Sequence, residues 1–241
     1  MFDAVDPPER RISVAGGALA AAVLLALAAL SYAVLQLPAE PSPLAAEVAS
    51  RLPESGLGNA VNAVLLNFRA YDTLLETGVL VLALVGGWML ASNAAWGGPP
   101  ANFSSRHLVE APLLLLVKML APLVALSAIY LLFVGAEAPG GAFQSGTILA
   151  AIAILLILSR LAPLPGPATP GVRAAVAVGF LLFALAGFAT LLLSRGYMDF
   201  PPAAAYPTII AIEIGLAVSV AASLLLLAGG LPEEPDEDGP K

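Results

Sequence analysis

Residues 208–230 read TIIAIEIGLAVSVAASLLLLAGG, with one ionisable side chain, Glu213, in the whole run. A helix needs ~20 consecutive apolar residues to cross the hydrocarbon core of a bilayer, and this stretch is long enough. Working back toward the N-terminus, further apolar stretches occupy 14–37, 71–92, 109–134, 142–159 and 172–194. The expected fold class is an all-α integral membrane protein with about six transmembrane helices. Composition agrees. The 241 residues are 59% hydrophobic and 11% charged, against ~25% charged in a soluble domain.

The inventory excludes much chemistry. The chain has no cysteine and a single histidine, His107. Disulfides, thiolate metal sites, iron–sulfur ligation and cysteine nucleophiles are therefore ruled out, and no cofactor or metal site is expected. One histidine makes no hydrolase triad, and neither a P-loop nor H-E-x-x-H is present. The formal charge of −7 resides largely in 231–241 (LPEEPDEDGPK), five acids and one lysine, a composition expected of a solvated, disordered tail. Nucleic acid is not an expected partner, because phosphate binding needs a basic surface.

The connectors carry the orientation signal. Arg10, Arg11, Arg106, Arg160, Arg173 and Lys241 fall on one side of the expected spans, and Arg51, Arg69 and Arg195 on the other. Basic loops favour the cytoplasm, so both termini are expected there, in a multi-pass protein of the cell membrane. The first apolar stretch exceeds the h-region of a signal peptide and follows an acidic leader; it reads as a retained helix. The proline-rich stretch 38–53 reads as an exposed linker. The stretch 56–69 reads as an interfacial or partly re-entrant helix, and Trp88 and Trp96 fit an aromatic belt.

Ionisable groups within apolar stretches are costly and tend to face partners or water. Arg69, Asp72 and Glu76 share one helical face by their spacing. Either they anchor the helix end at the membrane surface, or Glu76 enters the membrane as a proton or ion relay. Lys118 lies between Pro112 and Pro122, where it either reaches the headgroups or serves proton transfer. Glu213, five residues into the last apolar stretch, is either an interhelical hydrogen-bonding group or part of an ion path. The turn 134–146 holds Pro139, Gly140 and Gly141, and its expected role is structural; Gln144 and Ser145 follow as packing or hydrogen-bonding groups.

Two blocks carry a family resemblance. Residues 59–86 resemble the C-terminal segment of the large A subunit of Mrp-type multisubunit Na+/H+ antiporters, and the matching small subunit of membrane-bound hydrogenases. That pattern is an asparagine-rich helix, then Asp-Phe-Arg-Gly-Phe-Asp-Thr, then a glutamate in an apolar helix. Here Asn67-Phe68-Arg69-Ala70-Tyr71-Asp72-Thr73 precedes Glu76; Asn67 replaces the first aspartate and Ala70 the glycine. Residues 116–158 resemble the B subunit of the same antiporters, whose signature is Gly-His-Asn-x-Pro-Gly-Gly-Gly-Phe. The counterpart is Gly135-Ala136-Glu137-Ala138-Pro139-Gly140-Gly141-Ala142-Phe143, without the histidine and with Glu137 at the asparagine position. Glu213-Ile214-Gly215 stands where the family tends to have an aspartate, an apolar residue and glycine.

The resemblance implies a fusion. A two-helix module resembling the end of the antiporters' large polypeptide would occupy 1–98, a four-helix MnhB-like module 99–230, and the acidic tail 231–241. It further implies a non-catalytic membrane component of an Mrp-like cation (Na+)/proton antiporter complex, with the other subunits of that complex as partners. Glu76, with Arg69 and Asp72, would belong to a proton or cation path, assisted by Lys118 and Glu213. The alternatives are the membrane arm of a redox-driven relative of complex I, and a purely structural packing role.

Overall fold

The computed structural model describes residues 14–36, 43–92, 95, 98, 100–103, 111–163, 166–193 and 196–232. The readings that rest on Arg10, Arg11, Trp96, Arg106, His107, Arg195 and the tail beyond residue 232 lie outside the described residues.

Helices cover all six apolar stretches, and among the described residues there is no strand. They are α1 (Val14–Leu35), α4 (Ala70–Trp88), α5 (Ala111–Val134), α6 (Ala142–Leu158), α7 (Pro170–Leu192) and α8 (Pro202–Gly229). Two shorter helices, α2 (Pro43–Ser55) and α3 (Ala60–Ala63), lie between α1 and α4, and a π-helical turn (Val64–Phe68) continues α3. α4, α5, α7 and α8 are each long and apolar enough to cross a membrane; α6 and the Ala21–Leu35 part of α1 are apolar but shorter. The protein is an all-α, multi-pass membrane protein.

The chain divides after Ala46 into two units. The first contains α1, whose side chains from Ala21 onward are exposed. The second runs from Glu47 and holds the helical bundle. The stretch 38–53, expected as a linker, is helical from Pro43. Proline suits the first helical position, where its missing N–H would have no partner anyway, and Leu-Ala-Ala-Glu after it favours helix.

α8 is the most buried of the four long helices and the centre of the second unit. It packs on α6 and α7 and also touches α4 and α5. Small residues set these crossings, as membrane helices require where packing replaces the hydrophobic effect. A β-carbon on Gly179 of α7 would lie 2.9 Å from the Gly215 carbonyl oxygen of α8, and one on Gly146 of α6 would lie 2.9 Å from the Ala217 carbonyl oxygen. Phe183, Ile209, Ile212 and Leu216 fill the interior around them. Trp88, expected in an aromatic belt, packs inward with Leu84, Val176 and Leu226.

α8 also starts earlier than its apolar pattern suggests. Pro202 opens it at the first helical turn, six residues ahead of the expected start. Glu213 therefore stands eleven residues past the helix start, ~16 Å along the axis. That is mid-helix, and not close to its end.

Candidate functional site

The site is assembled from a break in one helix, a tight turn and the middle of α8. The break comes first. Asn59 caps α3 by accepting a hydrogen bond from the Val61 N–H at 3.0 Å, the usual service of an asparagine at this position. The π-turn ends where Arg69, at φ −127° and ψ 34°, leaves the helical region before α4 begins. Thr73 of α4 donates to the Leu65 carbonyl at 2.7 Å, satisfying an acceptor inside the π-turn. The segment 56–69, expected as an interfacial or partly re-entrant helix, is this short helix and π-turn.

Next comes the turn between α5 and α6. Asn59 donates to the carbonyls of Gly135 at 3.0 Å and Ala138 at 2.8 Å, and Asn62 donates to Gly135 at 3.0 Å. The backbone N–H groups of Gly58 and Asn59 both reach the Ala136 carbonyl. Gly58 leaves room for the Glu137 carboxylate, which a β-carbon there would strike. These bonds tie the asparagine-bearing segment to the Pro-Gly-Gly turn across more than seventy residues of sequence. Pro139, Gly140 and Gly141 keep their expected structural role as a proposal: Gly141 sits at φ 112°, ψ −170°, a region that only glycine occupies readily.

The absence of a side chain on Gly141 also admits Glu213. A β-carbon at Gly141 would fall 2.8 Å from Glu213 Oε1. The carboxylate accepts from Asn62 Nδ2 at 3.3 Å and from the backbone N–H of Ala142, the first residue of α6. A helix N-terminus carries partial positive charge and unpaired N–H groups, so α6 supplies what a buried carboxylate needs. Glu213 is 1% exposed. Its second oxygen, Oε2, has no hydrogen-bond partner among the described residues.

Beside this carboxylate lies a cavity of about 340 Å³, lined among others by Asn62, Thr73, Glu76, Gly141, Gln144 and Glu213. Two of its lining side chains are acidic and none is lysine or arginine. The structure thus brings Glu76 and Glu213 to one cavity. It places Arg69 elsewhere, in a neighbouring cavity of about 290 Å³ with Tyr71, Tyr197 and Asp199. Arg69 and Asp72 form an exposed ion pair. Partial burial, with Tyr71 close by, raises the Tyr197 phenol above its ordinary pKa. Lys118 is exposed on α5 and lines neither cavity.

Exposed ion pairs contribute ~0–1 kcal/mol. Asp72→Asn is therefore expected to change the thermal midpoint of the purified protein little; a large fall would show that the pair holds the helix break together.

Asn62 is not legible as a site residue in the sequence. Its two partners are 73 and 151 residues away, and only the pairing of two asparagines three apart in an apolar segment hints at a shared face.

The comparisons with known proteins divide the chain at the same place as the two sequence blocks. Residues 10–91 match the MbhE family, described as the E subunit of MBH. Residues 112–230 match the family described as a domain related to the MnhB subunit of Na+/H+ antiporters. Both resemblances read from the sequence are borne out, in the same order. No curated protein matches the sequence. Among solved structures, the Mrp complex from Dietzia sp. DQ12-45-1b is similar with a TM-score of 0.65 at 22% identity, over 95% of this chain. The chain spans 27% of that relative's length. The membrane-bound sulfane sulfur reductase, an archaeal respiratory membrane complex, is similar with a TM-score of 0.60 at 22% identity, over 87% of this chain and 97% of its own. These likenesses establish a shared fold. Asn62 and Glu76 come from the MbhE-like segment, and Gly141, Gln144 and Glu213 from the MnhB-related domain.

Proposed function

We propose that the chain is a membrane component of an Mrp-like multisubunit Na+/H+ antiporter, serving transport and assembly and not catalysis. The observation that carries this reading is the acidic cavity, built jointly by the MbhE-like segment and the MnhB-related domain. In this reading 1–98 and 99–230 act as the two modules and 231–241 as an acidic tail. The protein resides in the cell membrane with both termini cytoplasmic, as the distribution of lysine and arginine favours. The ion or proton path passes Glu76 and Glu213, with Arg69 and its ion-pair partner Asp72 beside it and Lys118 assisting from the exposed face of α5.

The test is to tag the chain in its host, purify it in mild detergent and identify the accompanying proteins. Large antiporter-like subunits without redox proteins support the antiporter. Iron–sulfur or metal-cluster subunits in the same particle support the second reading, the membrane arm of a redox-driven complex, which the likeness to the archaeal respiratory complex favours. A chain that purifies alone refutes both.

Within an assembled complex, Glu76→Gln is expected to lower antiport, by less than the same change at Glu213. Glu76 is exposed in the chain and Glu213 is buried, so less of its function depends on charge held out of water. Full activity in the Glu76→Gln complex would remove Glu76 from the path.

A further inference from the structure

We infer that the outward face of α5 docks a membrane-spanning helix of another protein, and that a carboxylate on that helix pairs with Lys118. This rests on the complex-subunit reading above and adds which face meets a partner and by what chemistry.

Lys118 is the one ionisable residue between Ala111 and Val134. It stands seven residues past the start of α5, ~10 Å along the axis. α5 has 24 residues and so spans ~36 Å, against ~30 Å for the hydrocarbon core. Centred in a bilayer, the helix holds the Lys118 backbone ~7 Å below the hydrocarbon boundary. A cation at that depth is costly and calls for a partner.

The face that carries it is open. α5 is the least buried of the four long helices; it packs on α6 and α8, with Val117, Ala128 and Leu132 buried. Leu115, Lys118, Pro122, Leu126, Ile129 and Phe133 are all exposed. They recur every three or four residues, which makes one stripe along the helix. The backbone is open at the same level. Pro122 has no N–H, so the Lys118 carbonyl four residues back lacks its helical donor. Lipid tails satisfy neither a cation nor a carbonyl.

The counter-charge has to come from another protein. Lys118 forms no ion pair among the described residues. α6 has no acidic residue, and the one acid of α8, Glu213, is buried against Asn62. A second copy of this chain does not fit either. Two copies meeting through this stripe would set Lys118 against Lys118, and like charges repel strongly away from water. The stripe is complementary to an apolar helix that brings its own aspartate or glutamate. Such a pair relieves each charge of its burial without a counter-ion.

The test is cross-linking of the purified complex, in mild detergent, with a membrane-permeant carbodiimide. The reagent activates a carboxyl group, and attack by an adjacent lysine amine forms an amide while the carbodiimide leaves as a urea, having taken up the elements of water. Peptide mass spectrometry should find Lys118 joined to an aspartate or glutamate in an apolar stretch of another protein. Lys118→Glu should lower the amount of that protein co-purifying with the chain by at least about tenfold, because like charges across an interface are strongly disfavoured. Replacing the partner's acid with lysine should restore it. Since Lys118→Glu keeps a charge in the membrane, Lys118→Leu is the second variant. It inserts at least as readily as the wild type and still leaves the partner's acid without a cation, so it too should lose the partner, measured per inserted chain. A Lys118 joined only to a lipid headgroup, only to a second copy of this chain, or to nothing overturns the inference. So does wild-type partner yield in both variants. These failures are read in a wild-type particle that still holds other subunits; a wild-type chain that purifies alone refutes the complex reading as well.

Discussion

Gly141→Ala is expected to abolish most antiport and to reduce the yield of assembled complex, although it adds one methyl group. Two costs fall on the same residue. The backbone at φ 112° and ψ −170° lies where an L-residue costs roughly 1–3 kcal/mol. The added carbon would also sit 2.8 Å from Glu213 Oε1, closer than non-bonded atoms approach. The carboxylate cannot yield cheaply, because moving it breaks its bonds to Asn62 and to the Ala142 N–H at the head of α6. The backbone of the turn is equally constrained. The Gly141 N–H donates to the Leu131 carbonyl at 2.8 Å, and the turn's other carbonyls are held by Asn59 and Asn62. The neighbouring change Ala142→Gly is the control. It introduces the family's third glycine at the first position of α6, where it costs at most ~1 kcal/mol of helix propensity, and should leave both assembly and transport near normal. Co-purification yield and antiport per assembled complex would be measured for both. Wild-type values in Gly141→Ala would mean that Glu213 does not depend on its place at the α6 terminus.

The division between what the sequence discloses and what it conceals follows from the range of the forces involved. The six apolar stretches are legible because burial of a membrane span is a local property, summed over ~20 consecutive residues. Their ends are less so. Ala203, Ala204 and Ala205 are good helix formers behind Pro202, so α8 runs six residues beyond its apolar core and Glu213 moves from near the end to mid-helix. The helical start at Pro43 is hidden for a similar reason, since proline signals a linker and yet also opens helices. The site itself mixes both cases. Glu213 stands out because an acid in an apolar run is anomalous wherever it occurs. Asn59 and Asn62 do not, because an asparagine acquires its meaning from the carbonyls it finds, here 73 to 79 residues away. Spacing alone groups Arg69, Asp72 and Glu76 on one face, yet the helix break at Arg69 gives Arg69 and Glu76 separate cavities. Lys118 illustrates the limit from the other side: its depth in an apolar helix is visible in the sequence, but whether it points into the bundle is a tertiary fact, and it does not.

Glu213→Gln and Glu213→Leu should separate two roles that a single substitution would confound. The amide of Glu213→Gln is nearly isosteric and retains an oxygen able to accept from Asn62 Nδ2 and the Ala142 N–H. The turn, α3 and α8 should therefore stay together and the complex should assemble. What it loses is the negative charge and the accepting capacity at the position of Oε2, an oxygen buried without a hydrogen-bond partner among the described residues. Transport per assembled complex is expected to fall by at least about tenfold, which corresponds to ~1.4 kcal/mol at the limiting step. Glu213→Leu removes the acceptor altogether and leaves the Asn62 amide and the Ala142 N–H buried without it, a cost of ~1–3 kcal/mol for each unsatisfied group. It should reduce assembly as well as turnover. The two variants thus distinguish a transport group from a packing group. If the chain served only to pack between ion-translocating neighbours, Glu213→Gln would assemble and turn over like wild type, and only Glu213→Leu would show a defect, confined to yield. Antiport in everted vesicles, normalised to the amount of assembled complex, decides between them, because normalisation cancels the assembly loss and exposes any defect in the path.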